Sequence, residues 1–223
     1  MPTNPANRIP LLQSGKADLI IADITITPER AQVIDFSTPY FVTGQQFLVP
    51  VAASDKLDDY ASARIGAVKG TTGEQALHHR FPNARVLAYD DIPLALSALG
   101  NGNVKAITQD STILAGLLAG VPDKEKYKIL PELLSQEDIG IGVKKGEGAL
   151  LAAINQQLIA LEQSGKAAQI YNSWFAPQSP APQPLSFTLT SRTGANVVKS
   201  SNVRRQLCRR GRATRRQWWS FVG

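Results

Sequence analysis

Residues 64–120 hold three consecutive strand–helix units, and this run limits the fold more than any other part of the chain. RIGAVKG at 64–70 reads as a strand and TTGEQALHHRF at 71–81 as a helix. A strand at 84–89 (ARVLAY) and a helix at 90–102 (DDIPLALSALGNG) follow, the helix with an Asp cap, an early Pro and a Gly stop. VKAITQ at 104–109 and DSTILAGLLAG at 110–120 complete the third unit. Alternation at this spacing predicts βαβ units and a parallel sheet, so the fold class is α/β.

The flanks each read as half of something. A short helix at 7–15 ends at a Gly, and 17–26 (ADLIIADITI) is an apolar run of strand length. A strand over 45–53 contains Pro50, which predicts an edge or a crossover. On the far side come a strand at 139–146 and helices at 148–165 and 166–175. One lobe inserted into another accounts for this, with connecting segments expected near 47–52 and 138–143.

The formal charge of +6 does not describe the body of the chain. Nine of the 24 basic residues and none of the 18 acidic ones lie in 192–223, so residues 1–191 carry 15 basic against 18 acidic side chains. A polyanion-binding surface is therefore not expected of the body, and no nucleic-acid partner is expected. The lone Cys208 lies in the same basic segment, which leaves the body without a disulfide framework or a cysteine metal site. The segment QSPAPQPLSFTLTS before the basic run has linker composition.

In open α/β sheets ligands sit at the carboxyl ends of strands, where helix N-termini present free N–H groups. In TPER, Thr27 suits an N-cap, Pro28 the first helical position and Glu29 the helix dipole. That grammar leaves Arg30 over, either as a solvated charge or as a fork for a carboxylate. Thr71 and Glu74 have capping-box spacing, while Gly73 between them also permits close approach to a helix N-terminus. Asp110 is either an N-cap or a counter-charge for an ammonium. Together, Arg30 with the Thr72 and Gly73 amides, and Asp110 with Thr25, would hold a zwitterionic α-amino acid. The sequence has no G-x-S-x-G, P-loop or G-x-G-x-x-G motif and no metal-ligand spacing, so neither catalysis, a cofactor nor a metal is expected.

The segment ADITITPERAQVIDFSTPYFVTG, followed in order by VKGTTGE, AITQDS and SGKAAQIYNSWF, resembles the bacterial extracellular solute-binding proteins of family 3. These are periplasmic receptors of polar amino-acid ABC transporters, and the resemblance covers residues 7–175. It implies a two-lobe, periplasmic-binding-protein-like (type II) fold, monomeric, with a membrane permease as partner and a periplasmic or extracellular location. Lobe one would comprise 1–50 and 139–177, lobe two 51–138, and 178–223 a disordered linker and Arg-rich tail. The family's opening strand–helix–strand is not found here, so lobe one is expected to be incomplete. The resemblance gives Arg30, Thr72 and Gly73 to the ligand carboxylate and Thr25 and Asp110 to its ammonium. It puts Lys69 and Gln109 near the ligand side chain. Asp23 departs from the small residues common at its position and would either favour a basic ligand or point away. Rival readings on the same scaffold are an enzyme (a dehydratase or the sensor part of a murein lyase) and a ligand-sensing regulatory module.

Overall fold

A computed structural model describes residues 3–183. The Arg-rich tail, with Cys208, lies outside the described residues. The chain opens with α1 (Arg8–Gln13), β1 (Leu19–Ile20), α2 (Pro28–Val33) and β2 (Ile34–Phe36), followed by β3 (Phe41–Thr43) and β4 (Gln45–Pro50). The strand–helix series then runs β5 (Arg64–Val68), α3 (Thr72–Arg80), β6 (Arg85–Tyr89), α4 (Ile92–Gly100), β7 (Ala106–Asp110) and α5 (Ser111–Gly120). It closes with β8 (Tyr127–Ile129), β9 (Glu137–Ile139), β10 (Gly142–Lys144), α6 (Gly148–Gln163) and α7 (Lys166–Phe175).

The five-stranded sheet has the order β6-β5-β7-β4-β8. Its β5 lies parallel to β6 and β7, as the alternation predicts, while β4 runs antiparallel to both β7 and β8. The sheet is therefore mixed rather than purely parallel. A second sheet, β1-β10-β2, is antiparallel throughout. Between the two sheets, β3 pairs with β9 in a two-stranded ribbon. The chain passes from one lobe to the other along this ribbon, once in each direction.

Three boundaries differ from expectation. The first crossing falls at β3, before Gln45, and not near 47–52. Residues 45–50 belong to the five-stranded sheet because Phe47, Leu48 and Val49 are wholly buried in it. Pro50 does not push this strand to an edge. It stands at the end of the ladder opposite Tyr127, where the next residue, Val51, donates its N–H to the Lys126 carbonyl at 2.8 Å. The apolar run 17–26 is not one strand: only Leu19–Ile20 pairs in a sheet, the chain bends at Ala22, and Thr25 bridges to Ile139 in the crossing. Likewise 139–146 divides at Gly140 into strands of two different sheets.

Helix starts follow the residue grammar. Thr27 accepts from the Arg30 amide, Thr71 from the Glu74 amide and Asp91 from the Leu94 amide. Glu74 reaches back to the Gly70 amide, and Gly70 takes a positive φ of 74° that favours glycine. These caps set where each helix begins, and so where the residues at the lobe junction project.

Lobe two has the larger core. Phe47 packs edge-on against Tyr60 and tilted against Phe81, beside Leu77 and Ile65. Lobe one holds a smaller cluster around Leu12, Ile24 and Ile34, and α7 attaches through Tyr171 stacked on Phe41 of the crossing and Phe175 tilted against it. Phe47→Ala is expected to lower stability by about 3–5 kcal/mol, because the emptied volume sits among rigid rings that cannot collapse. A urea unfolding midpoint unchanged from the parent would contradict this account of the core.

Candidate functional site

The carboxyl ends of β5 and β7 point toward lobe one, and residues 23–25 and the first turn of α2 face them across a gap. With Arg8 from the start of α1, these segments enclose a cavity of about 250 Å³. Of the residues expected at the site, Asp23, Thr25, Arg30, Thr72, Gln109 and Asp110 line it.

Arg30 spans the two lobes. One guanidinium nitrogen donates to the Thr25 carbonyl at 3.0 Å and the other to the Gly70 carbonyl at 3.1 Å. Burial lowers the pKa of this group, with the nearby Glu137 carboxylate acting in the opposite sense. Among the described residues Arg30 forms no ion pair. A partly buried cation held only by neutral carbonyls is under-compensated, and an anion in the cavity would correct that. The N-terminus of the nine-residue α3, at Thr71 and Thr72, lies against the same cavity and favours the same sign.

Asp110 is the opposite pole. It ends β7 and precedes α5, yet its side chain makes no capping bond. It is 4% exposed; Oδ2 accepts from Gln45 Nε2 at 3.1 Å, while Oδ1 is buried with no hydrogen-bond partner. Burial and then the neighbouring Asp23 carboxyl push Asp110 up to about 9. Asp23 is itself raised by burial, an effect that Asp110 and Arg8 partly offset. Two carboxyls this close in a dry setting do not both ionise readily, so Asp110 keeps its proton at neutral pH while the cavity is empty.

Two expected site residues are elsewhere. Lys69 turns away and pairs with Asp90 at 2.7 Å on the surface, both side chains more than half exposed. Gly73 is buried behind the wall: a Cβ there would stand 2.5 Å from Gln45 Oε1 and 3.1 Å from Thr108. Its glycine makes room for the Gln45 side chain and does not itself reach the cavity. Gln109 does line the cavity, with its Oε1 accepting from the Asp110 amide at 3.1 Å.

Three residues of the site escaped sequence reasoning. Arg8 lines the cavity, donates to the Asp23 carbonyl at 2.6 Å and leaves its buried Nε without a partner. The signal was available, since Arg8 is a first-turn cation that opposes its helix dipole just as Arg30 does. Gln45 is wholly buried and opens β4, ahead of Gln46 and the apolar run 47–49. Glu137, 5% exposed, begins β9 and accepts three hydroxyl hydrogen bonds. A carboxylate at the start of the return crossing is visible in the sequence, but two of its partners are 65 and 112 residues away.

Fold and site together define an α/β protein of the two-lobe periplasmic-binding type, with a charged cleft where the lobes meet. The model of the bacterial extracellular solute-binding proteins, family 3, matches residues 1–177, and the chain belongs to that family. It is 36% identical over 169 residues to the ABC transporter glutamine-binding protein GlnH of Bacillus subtilis, covering 75% of this chain and 61% of that protein. It is 32% identical to a probable histidine-binding protein of Neisseria gonorrhoeae, covering 76% and 65%. The chain thus spans less than two thirds of the length of these relatives. Among solved structures, an ancestral arginine-binding protein bound to glutamine is 34% identical, with a TM-score of 0.74 and 78% of each chain covered. An ancestral amino acid-binding protein described as a precursor of cyclohexadienyl dehydratase is 28% identical, with a TM-score of 0.70, covering 78% of this chain and 75% of that one.

The raised Asp110 carboxyl makes the empty protein pH-sensitive in a definite direction. The folded state holds a proton that the unfolded chain gives up near pH 4, so this group's contribution to stability is full below pH 4. It is lost as pH rises toward about 9. Asp110→Asn is expected to flatten the fall in thermal midpoint between pH 5 and 8, a window that lies between about 4 and about 9. An equal fall in both proteins would show that the proton is not on Asp110.

Proposed function

We propose that the chain binds one polar L-α-amino acid, as the zwitterion, in the cavity between its lobes. We further propose that it serves as the receptor of an ABC importer in the periplasm or at the cell surface, handing its ligand to a membrane permease as a monomer. The observation that carries this reading is a pair of unmet polar groups at one cavity. Arg30 has carbonyls but no anion, and Asp110 has a buried oxygen with no donor. A zwitterion supplies both partners at once. The ligand carboxylate lies on Arg30 with the α3 amides, and the ammonium on Asp110 with Thr25. Asp23 adds negative charge at the ammonium end, and Gln109 faces the ligand side chain. Lys69, paired with Asp90 on the surface, has no part in it.

The names of the relatives support an amino acid as the ligand class, while differing in which one. We read the site as binding rather than catalytic. Its polar groups face ligand charges from fixed hydrogen bonds, and the two histidines are exposed on α3. Ligand capture by closure of the lobes about β3 and β9 fits the ribbon that joins them.

Isothermal calorimetry with the twenty amino acids tests the reading, and failure of all twenty to bind would refute it. Arg30→Ala is expected to weaken the best ligand by about 100-fold or more, and Arg30→Lys by about 10-fold or more, since a single ammonium cannot reproduce the fork. Binding that survives Arg30→Ala would remove the carboxylate clamp. Because the ammonium favours the ionised form of Asp110, binding at pH 7 is expected to release about one proton. Enthalpies measured in buffers of different ionisation enthalpy give that number directly, and a value of zero would contradict the ammonium site.

A further inference from the structure

Glu137 lies behind the cavity wall and does not line the cavity, yet it controls two side chains that do. Its Oε2 accepts from Thr25 Oγ1 and from Thr72 Oγ1, both at 2.6 Å. Its Oε1 accepts from Ser135 Oγ at 2.8 Å. Thr25 belongs to lobe one, Thr72 to the start of α3 in lobe two, and Ser135 to the return crossing. The two threonine hydroxyls stand 3.3 Å from each other, a far weaker contact than either makes with the carboxylate.

A threonine hydroxyl has one proton and two lone pairs. A carboxylate has no proton to give, so both threonines must spend theirs on Glu137. What remains on each hydroxyl is acceptor capacity only. An ammonium is the reverse: three donors and no acceptor. We propose that Glu137 is a positioning residue that turns the Thr25 and Thr72 hydroxyls into acceptors, so that the cavity selects ligands bearing a primary ammonium. The inference rests on the amino-acid reading and revises one role within it. The Thr72 hydroxyl serves the ammonium end, and the ligand carboxylate is left to Arg30 and backbone amides. The polarity also extends along the wall. Gln45 Nε2 donates to Asp110 Oδ2 at 3.1 Å and reaches Thr72 Oγ1 at 3.5 Å, which places the Asp110, Thr72 and Thr25 acceptors in one row.

The test compares the tightest-binding of the twenty L-amino acids with the (S)-2-hydroxy acid of the same side chain. The two share the carboxylate and differ only in ammonium against hydroxyl. In Glu137→Met, which removes the acceptor, the affinity ratio of amino to hydroxy acid is expected to fall about 10-fold, since the freed hydroxyls become donors facing an ammonium. Glu137→Gln is expected to keep the ratio within about three-fold, because its amide oxygen still accepts from both hydroxyls while its NH₂ turns to Ser135. Equal weakening of both ligands in Glu137→Met would overturn the proposal and leave Glu137 as a brace for the crossing. Should that variant fail to fold, Thr72→Val decides. A selective loss of amino acid affinity supports the acceptor role, and equal loss of both ligands returns Thr72 to the carboxylate. If the unaltered protein binds none of the twenty amino acids, the amino-acid reading fails and this proposal with it. If the unaltered protein binds but its ratio survives both Glu137→Met and Thr72→Val, this proposal alone fails.

Discussion

A row of buried hydrogen bonds runs through the junction of the two lobes, and the geometry of the site depends on it. Asp110 accepts from Gln45, Gln45 accepts from Thr108 and reaches Thr72, and Thr72 and Thr25 both donate to Glu137. Gln45, Asp110 and Glu137 stand at strand ends and Thr72 at the start of α3, so the row fixes how the sheet of lobe two meets the crossing. Buried polar groups are costly unless paired, and here the pairing is nearly complete. The exception is one oxygen of Asp110, which is buried without a partner beside the cavity. Gly73 fits the same frame: any side chain there would displace Gln45 and break the row at its centre.

The charges around the cavity follow from that frame. Asp23, Asp110, Arg8 and Arg30 all line the cavity, none of them in a close ion pair among the described residues. Such an arrangement would be expensive to keep empty if all four groups stayed charged. Retaining a proton on Asp110 lowers that cost, and carbonyl contacts to both arginines lower it further. The empty site is thereby kept tolerable while staying poised for a ligand that brings both signs.

The two lobes are stabilised differently. Lobe two packs helices around its mixed sheet, with aromatic rings at the centre of its core. Lobe one has a three-stranded sheet and smaller clusters, and its last helix leaves Ile170 and Trp174 exposed. The residues that carry charge are divided between the lobes, so the site exists only where the paired crossing holds the two together. Sequence similarity to amino-acid-binding relatives spans both sides of that crossing.

Local rules in the sequence determined a good deal. The caps at Thr27, Thr71 and Asp91, the glycine stops and the strand–helix alternation depend on neighbours a few residues apart, and they appear in the structure as read. Arg30 was legible as the one residue that helix-start grammar left unexplained. Tertiary structure decided the rest, for physical reasons that local pattern does not contain. Whether β4 is an edge or an interior strand depends on antiparallel partners some 60 to 80 residues away. Lys69 was free to choose between the cavity and Asp90, and an exposed ion pair took it. Above all, the weight of Glu137 and Gln45 in this molecule comes from burial. A carboxylate beside Gln136 and Asp138 and an amide beside Gln46 look incidental in a string of letters, and only folding shows that they orient the hydroxyls lining the cleft.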